Sequence, residues 1–257
     1  MEILITNDDG VYAPGILALA DALTSVADVI VVAPESEQSG VSHALTFLTP
    51  FFLNELESDR PNLKRFSVNG TPADCTKLGL VEVCPRKPDM VISGINGGLN
   101  VGINCIYSGT LAGAREAAFF GVPSYAVSME VARKGVSNPV HVARAAELAR
   151  DLILKLNDRS ADPGIHYNIN YPVHALEGTA EIRVVPMETT RFDYRFQQGT
   201  DPTGRPYYWT GHSAANVDPE RLTDVTTVER GFVTVTPMHY DLTRTDLLDS
   251  FAGFLEP

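Results

Sequence analysis

Short apolar runs alternate with helical segments throughout the first half of this sequence. The apolar runs are rich in Ile and Val and cover residues 3–5, 29–32, 90–92 and 124–127. Four segments have a helical pattern. The first begins at Pro14, and the others cover Pro72 to Val83, about Thr110 to Phe120, and about Pro139 to Leu156. Strands and helices in this alternation are typical of a parallel sheet covered on both faces. The sequence therefore predicts an α/β fold of three layers.

The second half is expected to add strands and an extended arm. Residues 166–171 alternate, with Tyr167, Ile169 and Tyr171 on one side and Asn168 and Asn170 on the other, and residues 182–185 and 232–235 are further strand candidates. In the segment 187–213, aromatic residues lie among Gly, Pro and Arg, which favours a hairpin. The aromatic residues are Phe192, Tyr194, Phe196, Tyr207, Tyr208 and Trp209. We expect one domain, with a catalytic core over 1–186 and an arm, closing strand and tail over 187–257.

Such an arm on a monomer would expose apolar surface, and large exposed apolar patches usually mark interfaces. Aromatic residues and Arg are also enriched in interfaces, and the segment contains Arg191, Arg195 and Arg205. Exchange of the arm with a second subunit is therefore expected. Folding of the arm back over its own domain is the alternative.

The charge balance limits the partners of this chain. It has 20 Lys and Arg against 32 Asp and Glu, which gives a formal net charge of −12. Because affinity for nucleic acid comes largely from Lys and Arg, a nucleic-acid polymer is not expected as a partner. A small phosphorylated substrate is compatible with this negative net charge, since a metal ion can supply positive charge locally.

The N-terminus and the cysteines predict a cytoplasmic protein. The chain reaches Asp8 and Asp9 too early for a signal peptide and has no basic region before them. No apolar run approaches the roughly 18 residues of a membrane span, so no membrane contact is expected. Cys75, Cys84 and Cys105 are odd in number and lack CxxC spacing, which favours neither a disulfide framework nor a zinc site.

Polar residues follow three of the predicted strands, where open α/β sheets place their ligands. Asp8 and Asp9 come directly after the first strand, Ser39 and Gly40 follow the second, and Asn96 follows the third. Carboxylate, hydroxyl and amide oxygens suit Mg²⁺ or Mn²⁺ rather than zinc. Two plainer interpretations stay open: the acid pair forms a turn or a helix start, and the glycines of 94–102 serve a winding loop.

A further polar group precedes the helix that begins near residue 110. Ser108, Gly109 and Thr110 combine backbone N–H groups, two hydroxyls and a glycine, which together can hold a phosphate. Because Ser and Thr are also common N-caps, helix capping is the alternative. Beside a site for a hard metal, this helix start indicates metal-assisted phosphate chemistry. A P-loop, an HExxH motif and a GxGxxG spacing over 94–102 are absent.

Motifs in a fixed order along nearly the whole chain point to one family. They are Ile-Thr-Asn-Asp-Asp-Gly (5–10) with Ala-Pro-Gly (13–15), Val-Ala-Pro (32–34) with Ser39 and His43, Asn-Gly-Thr-Pro-Ala-Asp-Cys (69–75), Ser-Gly-Ile-Asn-Gly-Gly-Leu-Asn-Val-Gly (93–102), Tyr-Ser-Gly-Thr (107–110) with Glu116, Gly-Val-Pro-Ser (121–124), Asn168-x-Asn170-x-Pro172, Thr223-Asp224, and Val-Thr-Pro (235–237) with Asp-Leu-Thr (241–243). With these motifs the sequence resembles the SurE (survival protein E) family of metal-dependent 5′-nucleotidases.

The resemblance implies a Rossmann-like fold and a definite chemistry. In that family one divalent cation per subunit is held by residues that match Asp8, Asp9, Ser39 and Asn96. The family removes phosphate from nucleoside 5′-monophosphates, often accepts 3′-monophosphates, and includes members that trim short polyphosphate. Members form homodimers or homotetramers through C-terminal exchanges.

A mechanism follows as a hypothesis. The cation binds a phosphate oxygen and a water molecule, and Asp8 takes the proton of that water. Ser108, Gly109 and Thr110 hold phosphate oxygens, with Ser39, Gly40 and Asn96 also at the substrate. His43 donates a proton to the leaving alkoxide or, alternatively, packs beside the loop. Asn69, Thr71 and Asp74 are expected to fix a turn and cap a helix. A phosphorylated Asp8 and a non-catalytic nucleotide sensor are the competing interpretations.

Overall fold

The structure is a computed structural model that describes residues 1–131, 137–157, 164–190, 194–212 and 217–255. The strands within these residues are β1 (Glu2–Thr6), β2 (Asp28–Pro34), β3 (Leu53–Leu56), β4 (Leu63–Val68), β5 (Met90–Gly97), β6 (Ser124–Met129), β7 (Ile165–Tyr171), β8 (Ile182–Val184), β9 (Tyr194–Thr200), β10 (Pro206–His212) and β11 (Val233–His239). The α-helices are α1 (Pro14–Leu23), α2 (Pro72–Leu78), α3 (Gly109–Phe119), α4 (Pro139–Asn157), α5 (Val173–Glu177), α6 (Asp224–Glu229) and α7 (Leu248–Leu255).

Nine of the described strands form one sheet in the order β3-β4-β2-β1-β5-β6-β7-β11-β8. The six strands from β4 to β7 run parallel, whereas β3 and β11 pair antiparallel with their inner neighbours. The chain leaves β1 towards β2 on one side and returns to β5 on the other, so the winding reverses at β1. Open α/β sheets bind ligands beyond the carboxyl ends of the strands at such a reversal.

Two helical layers cover the sheet, which confirms the predicted three-layer α/β fold. Alternate residues of β1 point to opposite faces. Ile3 and Ile5 pack with α1 and α4, where Leu19 and Ala149 are fully buried. Leu4 instead packs with α2 and α3. The parallel strands read as continuous apolar runs because both faces of the sheet are covered.

Three parts of the secondary structure differ from the prediction. The helix that begins at Pro72 ends at Leu78 and continues as a wider turn over Gly79–Val83. A methyl group at Gly79 would lie 2.8 Å from Leu4 Cδ2, so the glycine permits the close approach to β1. Strands β3 and β4 and the short helices α5 and α6 were not predicted. Polar residues interrupt the apolar ones in β3 and β4, and the two helices have only five and six residues.

The arm is an antiparallel hairpin of β9 and β10, as predicted. Phe196, Tyr208 and Trp209 on this hairpin are exposed, at 64%, 59% and 70%. Arg191 and Phe192 lie outside the described residues. Helix α7 exposes Phe251 and Phe254 in the same way. None of the described helices is both long and apolar enough to span a membrane.

Candidate active site

A tight turn after β1 presents the acid pair. Asn7 Nδ2 donates to the carbonyl of Gly10 at 2.8 Å, and the Gly10 N–H donates to Asn7 Oδ1 at 3.2 Å. Gly10 has φ +100°, a left-handed conformation that glycine adopts without strain. Asp8 is buried and Asp9 half-buried. Both line one cavity, so the turn brings the two carboxylates to the same crevice.

The loop after β2 is fastened to this turn. The Gln38 N–H donates to the carbonyl of Asp8 at 2.7 Å. Ser39 Oγ donates to Glu37 Oε1 at 2.6 Å. Because its proton points to Glu37, the lone pairs of Ser39 are left to bind a cation.

The loop after β5 closes the crevice from the other side. The Gly97 N–H donates to Asp9 Oδ2 at 3.0 Å, which ties the residue after Asn96 to the acid pair. Asn96 Nδ2 donates to the carbonyl of Gly98 at 2.6 Å. Asn96 Oδ1 has no hydrogen-bond partner in the described part of the chain and can serve as a ligand.

Helix α3 begins against Asp8. Ser108 is its N-cap and accepts a hydrogen bond from the Leu111 N–H at 3.1 Å, which confirms the capping alternative. Thr110 Oγ1 donates to Asp8 Oδ1 at 2.7 Å. A methyl group at Gly109 would lie 2.9 Å from Asp8 Cβ, so glycine permits this approach.

These loops enclose a cavity of about 720 Å³, a size typical of small-ligand sites. Six of the predicted residues line it: Asp8, Asp9, Ser39, Gly40, Asn96 and Ser108. Gly109 and Thr110 lie behind Asp8 and contact it rather than the cavity. Other lining residues had not been selected as a site from the sequence, among them Glu37, Leu99, Tyr107, Met129 and Ser137. Glu37 and Tyr107 lie within the polar loops and could have been found from that position.

The cavity is acidic. Its described lining contains Asp8, Asp9 and Glu37 and no Lys, Arg or His. Burial raises the pKa of Asp8 to about 6, the charge of Asp9 adds to this rise, and the hydrogen bond from Thr110 opposes it. Burial also raises the pKa of Asp9. Two neighbouring carboxylates without a cationic side chain are stabilised by a bound cation.

The donor set fits a hard divalent cation. Among the described residues no three His, Cys, Asp or Glu side chains cluster as metal ligands, so a cation here would need neutral oxygen donors as well. Ser39 and Asn96 provide them in the same cavity as Asp8 and Asp9. Oxygen donors of this kind suit Mg²⁺ or Mn²⁺.

His43 does not line the cavity. Its Nε2 lies 2.8 Å from Glu116 Oε2, and its ring stacks on Phe119 with centroids 5.4 Å apart. Lys77 Nζ lies 3.1 Å from the other oxygen of Glu116. Although burial raises the pKa of Glu116, the hydrogen bonds from His43 and Lys77 lower it below its usual value. The contacts therefore fit the packing alternative for His43.

The predicted helix cap near residue 71 is confirmed, whereas Asn69 binds a distant segment of the chain. Thr71 and Asp74 form a capping box at the start of α2. Asn69 Oδ1 accepts a hydrogen bond from the Phe52 N–H at 2.6 Å. None of the three residues lines the cavity.

Residues from the second half support the site, which sequence reasoning did not foresee. Asp224 Oδ2 accepts from the Gly102 N–H at 2.8 Å, and its Oδ1 accepts from the Glu188 N–H at 2.7 Å. The carboxylate thereby joins the loop after β5 to the segment that leads into the arm. The Thr223-Asp224 motif was the available signal.

Fold and cavity together define an α/β protein with an acidic, oxygen-lined site beside a helix N-terminus. The family model described as "Survival protein SurE" matches residues 3–194, and the chain belongs to this family. A Rhodopirellula baltica protein named 5′-nucleotidase SurE is 45% identical over 96% of both chains. A Heliobacterium modesticaldum protein of the same name is 40% identical over 99% of this chain and 92% of its own. The crystal structure of the SurE protein from Aquifex aeolicus matches over the whole of both chains with a TM-score of 0.83 and 35% identity.

Proposed function

We propose that this protein is a 5′-nucleotidase that hydrolyses nucleoside 5′-monophosphates to nucleoside and phosphate. Nucleoside 3′-monophosphates and short polyphosphate are proposed as further substrates. The names of the relatives support the reaction class. The observation that carries the proposal is the acid pair of buried Asp8 and half-buried Asp9. The pair lies in a cavity beside the N-terminus of α3 that has no cationic side chain in its described lining.

One divalent cation per subunit, Mg²⁺ or Mn²⁺, is part of this proposal. Asp8, Asp9, Ser39 and Asn96 would hold it. When bound, the cation would neutralise phosphate charge and lower the pKa of a water molecule. An anionic substrate could then enter a cavity that otherwise repels it.

The residues of the chain supply binding and proton transfer. The Ser108 hydroxyl, which lines the cavity at the N-terminus of α3, would bind a phosphate oxygen. Asp8 Oδ1 accepts from Thr110, so Oδ2 is the atom that would take a proton from the attacking water.

His43 is the proposed proton donor to the leaving alkoxide. Because His43 lies outside the cavity lining, this role is separable by experiment from that of the acid pair.

Assembly into a homodimer or homotetramer is proposed as well. The exposed aromatic side chains of the β9–β10 hairpin supply an apolar surface of the kind that interfaces bury. The catalytic loops would still come mainly from the first half of each subunit.

The test is phosphate release from a panel of nucleotides in chelator, in Mg²⁺ and in Mn²⁺. We expect turnover only with metal. Asp8→Asn and Asp9→Asn should each lower it at least about 10²-fold, because each removes a negatively charged metal ligand and Asp8→Asn also removes the general base. Asp151→Asn, which changes an exposed aspartate on α4, is the matched control.

Three outcomes would contradict the proposal. Full turnover in chelator, after metal removal has been verified, would exclude metal dependence. Nucleotide binding without phosphate release at saturating metal would indicate a sensor. A phosphorylated Asp8 trapped during turnover in ¹⁸O-labelled water would replace direct attack by a covalent route.

A further inference from the structure

Two asparagines on β7 hold the backbone of Asn100, a residue that lines the cavity. The Asn100 N–H donates to Asn170 Oδ1 at 2.8 Å. The Asn100 carbonyl accepts from Asn168 Nδ2 at 2.8 Å and from Asn170 Nδ2 at 3.1 Å. Asn168 and Asn170 are fully buried. A strand of the second half thus determines where the loop after β5 lies.

The Asn100 side chain passes this restraint on to α3. Its Nδ2 donates to Ser128 Oγ at 2.8 Å and to Thr110 Oγ1 at 3.3 Å. Ser128 is the β6 residue that pairs with Asn170, so it belongs to the same part of the sheet. The amide of Asn100 therefore bridges the sheet and the first turn of the helix.

The hydrogen bonds that lead from Asn100 through Thr110 to Asp8 all donate in the same direction. A hydroxyl has a single proton, and Thr110 donates its proton to Asp8 Oδ1 at 2.7 Å. Thr110 therefore accepts from Asn100. Loss of the Asn100 contact would free the Thr110 hydroxyl to rotate away from Asp8. The orientation of Asp8 thus depends on residues that do not touch it.

We propose that Asn168 and Asn170 are positioning residues that act through Asn100 and Thr110 on Asp8. This inference rests on the proposed function, in which Asp8 is a metal ligand and base. Buried amides are costly unless they are hydrogen-bonded. Both Nδ2 groups and Asn170 Oδ1 bond to the backbone of Asn100, whereas Asn168 Oδ1 has no partner in the described part of the chain. Partners that orient a metal ligand typically contribute 10–100-fold to metal affinity or activity.

The experiment measures Mn²⁺ binding by electron paramagnetic resonance in the full chain without substrate, and kcat and KM with a nucleoside monophosphate. Asn168→Ala and Asn170→Ala should each raise the Kd for Mn²⁺ about 10–100-fold and lower kcat by a similar factor. KM should change less than about threefold, because an effect on the orientation of Asp8 concerns the chemical step more than substrate binding. Asn168→Ala removes one hydrogen bond to Asn100 and is the milder variant if Asn170→Ala does not fold.

Thr236→Val is the matched control. Thr236 pairs with Asn168 across β11 and β7, is buried, and donates to the carbonyl of Val185 at 2.9 Å. Loss of this hydrogen bond in Thr236→Val should lower the melting temperature but leave the Mn²⁺ affinity and kcat unchanged. A second test is the double variant Asn100→Ala/Asn170→Ala, which should be no worse than Asn100→Ala alone if Asn170 acts through Asn100.

Each outcome has a distinct meaning. Folded Asn168→Ala and Asn170→Ala proteins with wild-type Kd and kcat would overturn the inference and leave the proposed function intact. Equal kinetic losses in Thr236→Val, or additive losses in the double variant, would also overturn it. A wild-type protein that neither binds Mn²⁺ nor releases phosphate would instead refute the proposed function.

Discussion

Asp8 links the stability of the fold to the chemistry of the site. Burial raises its pKa from 3.8 to about 6, so between these pH values the folded protein holds a proton that the unfolded chain has released. The stability from this proton is fully present below about pH 4 and is lost as the pH rises through about 6. The folded protein thus becomes less stable as the carboxylate forms.

This linkage predicts a difference between wild type and Asp8→Asn in metal-free protein. From pH 5 to pH 7.5 the wild type should lose about 1 kcal/mol more unfolding free energy than Asp8→Asn, which cannot ionise. Urea denaturation in chelator at both pH values measures this. Asp151→Asn should follow the wild type, and an equal pH response in Asp8→Asn would show that Asp8 does not carry the effect.

A His43 variant tests whether this residue donates the proton to the leaving alkoxide. Because it pairs with Glu116 outside the cavity lining, His43→Ala should lower turnover far less than Asp8→Asn does. If His43 protonates the leaving alkoxide, its loss should matter less for p-nitrophenyl phosphate, whose leaving group needs no proton. The ratio of the two rates in His43→Ala and wild type is the measurement. An equal loss on both substrates would restrict His43 to packing.

At the scale of elements, the site depends on how closely α3 meets β1. A methyl group at Gly109 would lie 3.2 Å from Asp8 Oδ2 and closer still to its Cβ. Gly109→Ala should therefore displace Asp8 and lower turnover by roughly 10²-fold, as misplacement of catalytic groups by about 1 Å can do. Steady-state kinetics at saturating metal measure this.

Gly113 on the same helix provides the comparison. A methyl group there would lie 2.8 Å from Ser93 Oγ and from Thr6 Cγ2, so Gly113→Ala should destabilise the fold. It should lower turnover much less, because it does not contact the acid pair. Similar kinetic losses in both variants would show that the packing of α3 in general, rather than its contact with Asp8, sets the rate.

At the scale of the whole molecule, the β9–β10 arm is expected to determine how subunits assemble. Its hairpin leaves Trp209 and Tyr208 mostly exposed, which is costly for an isolated subunit. We expect a homodimer or homotetramer for the intact chain, and a smaller species when residues 190–210 are replaced by a short Gly/Ser turn. Sedimentation equilibrium measures both. Val140→Ser, at an equally exposed apolar side chain on α4, should leave the assembly unchanged. A monomeric intact protein would refute the assembly, and an unchanged oligomer after the replacement would place the interface elsewhere.

Much of the element order and part of the site could be predicted from the sequence. The Ile- and Val-rich strands β1, β2, β5 and β6 and the helices α1, α3 and α4 lie close to their predicted positions, because apolar spacing, Pro and Gly act locally. Asp8, Asp9, Ser39 and Asn96 line one cavity because the carboxyl ends of neighbouring parallel strands meet at one edge. Both inferences need only local pattern and a general rule of sheet geometry.

The tertiary structure decided which residues support the site. Asn168, Asn170 and Asp224 reach the loop after β5 from 68, 70 and 122 residues away in sequence. No local pattern specifies that β7 lies beside β6, or that His43 faces Glu116 rather than the cavity. The sequence by itself determined the strands, the helices and the acidic loops, since these depend on neighbouring residues. Strand order and helix packing determined how the loops are held, because they depend on burying the whole apolar surface at once.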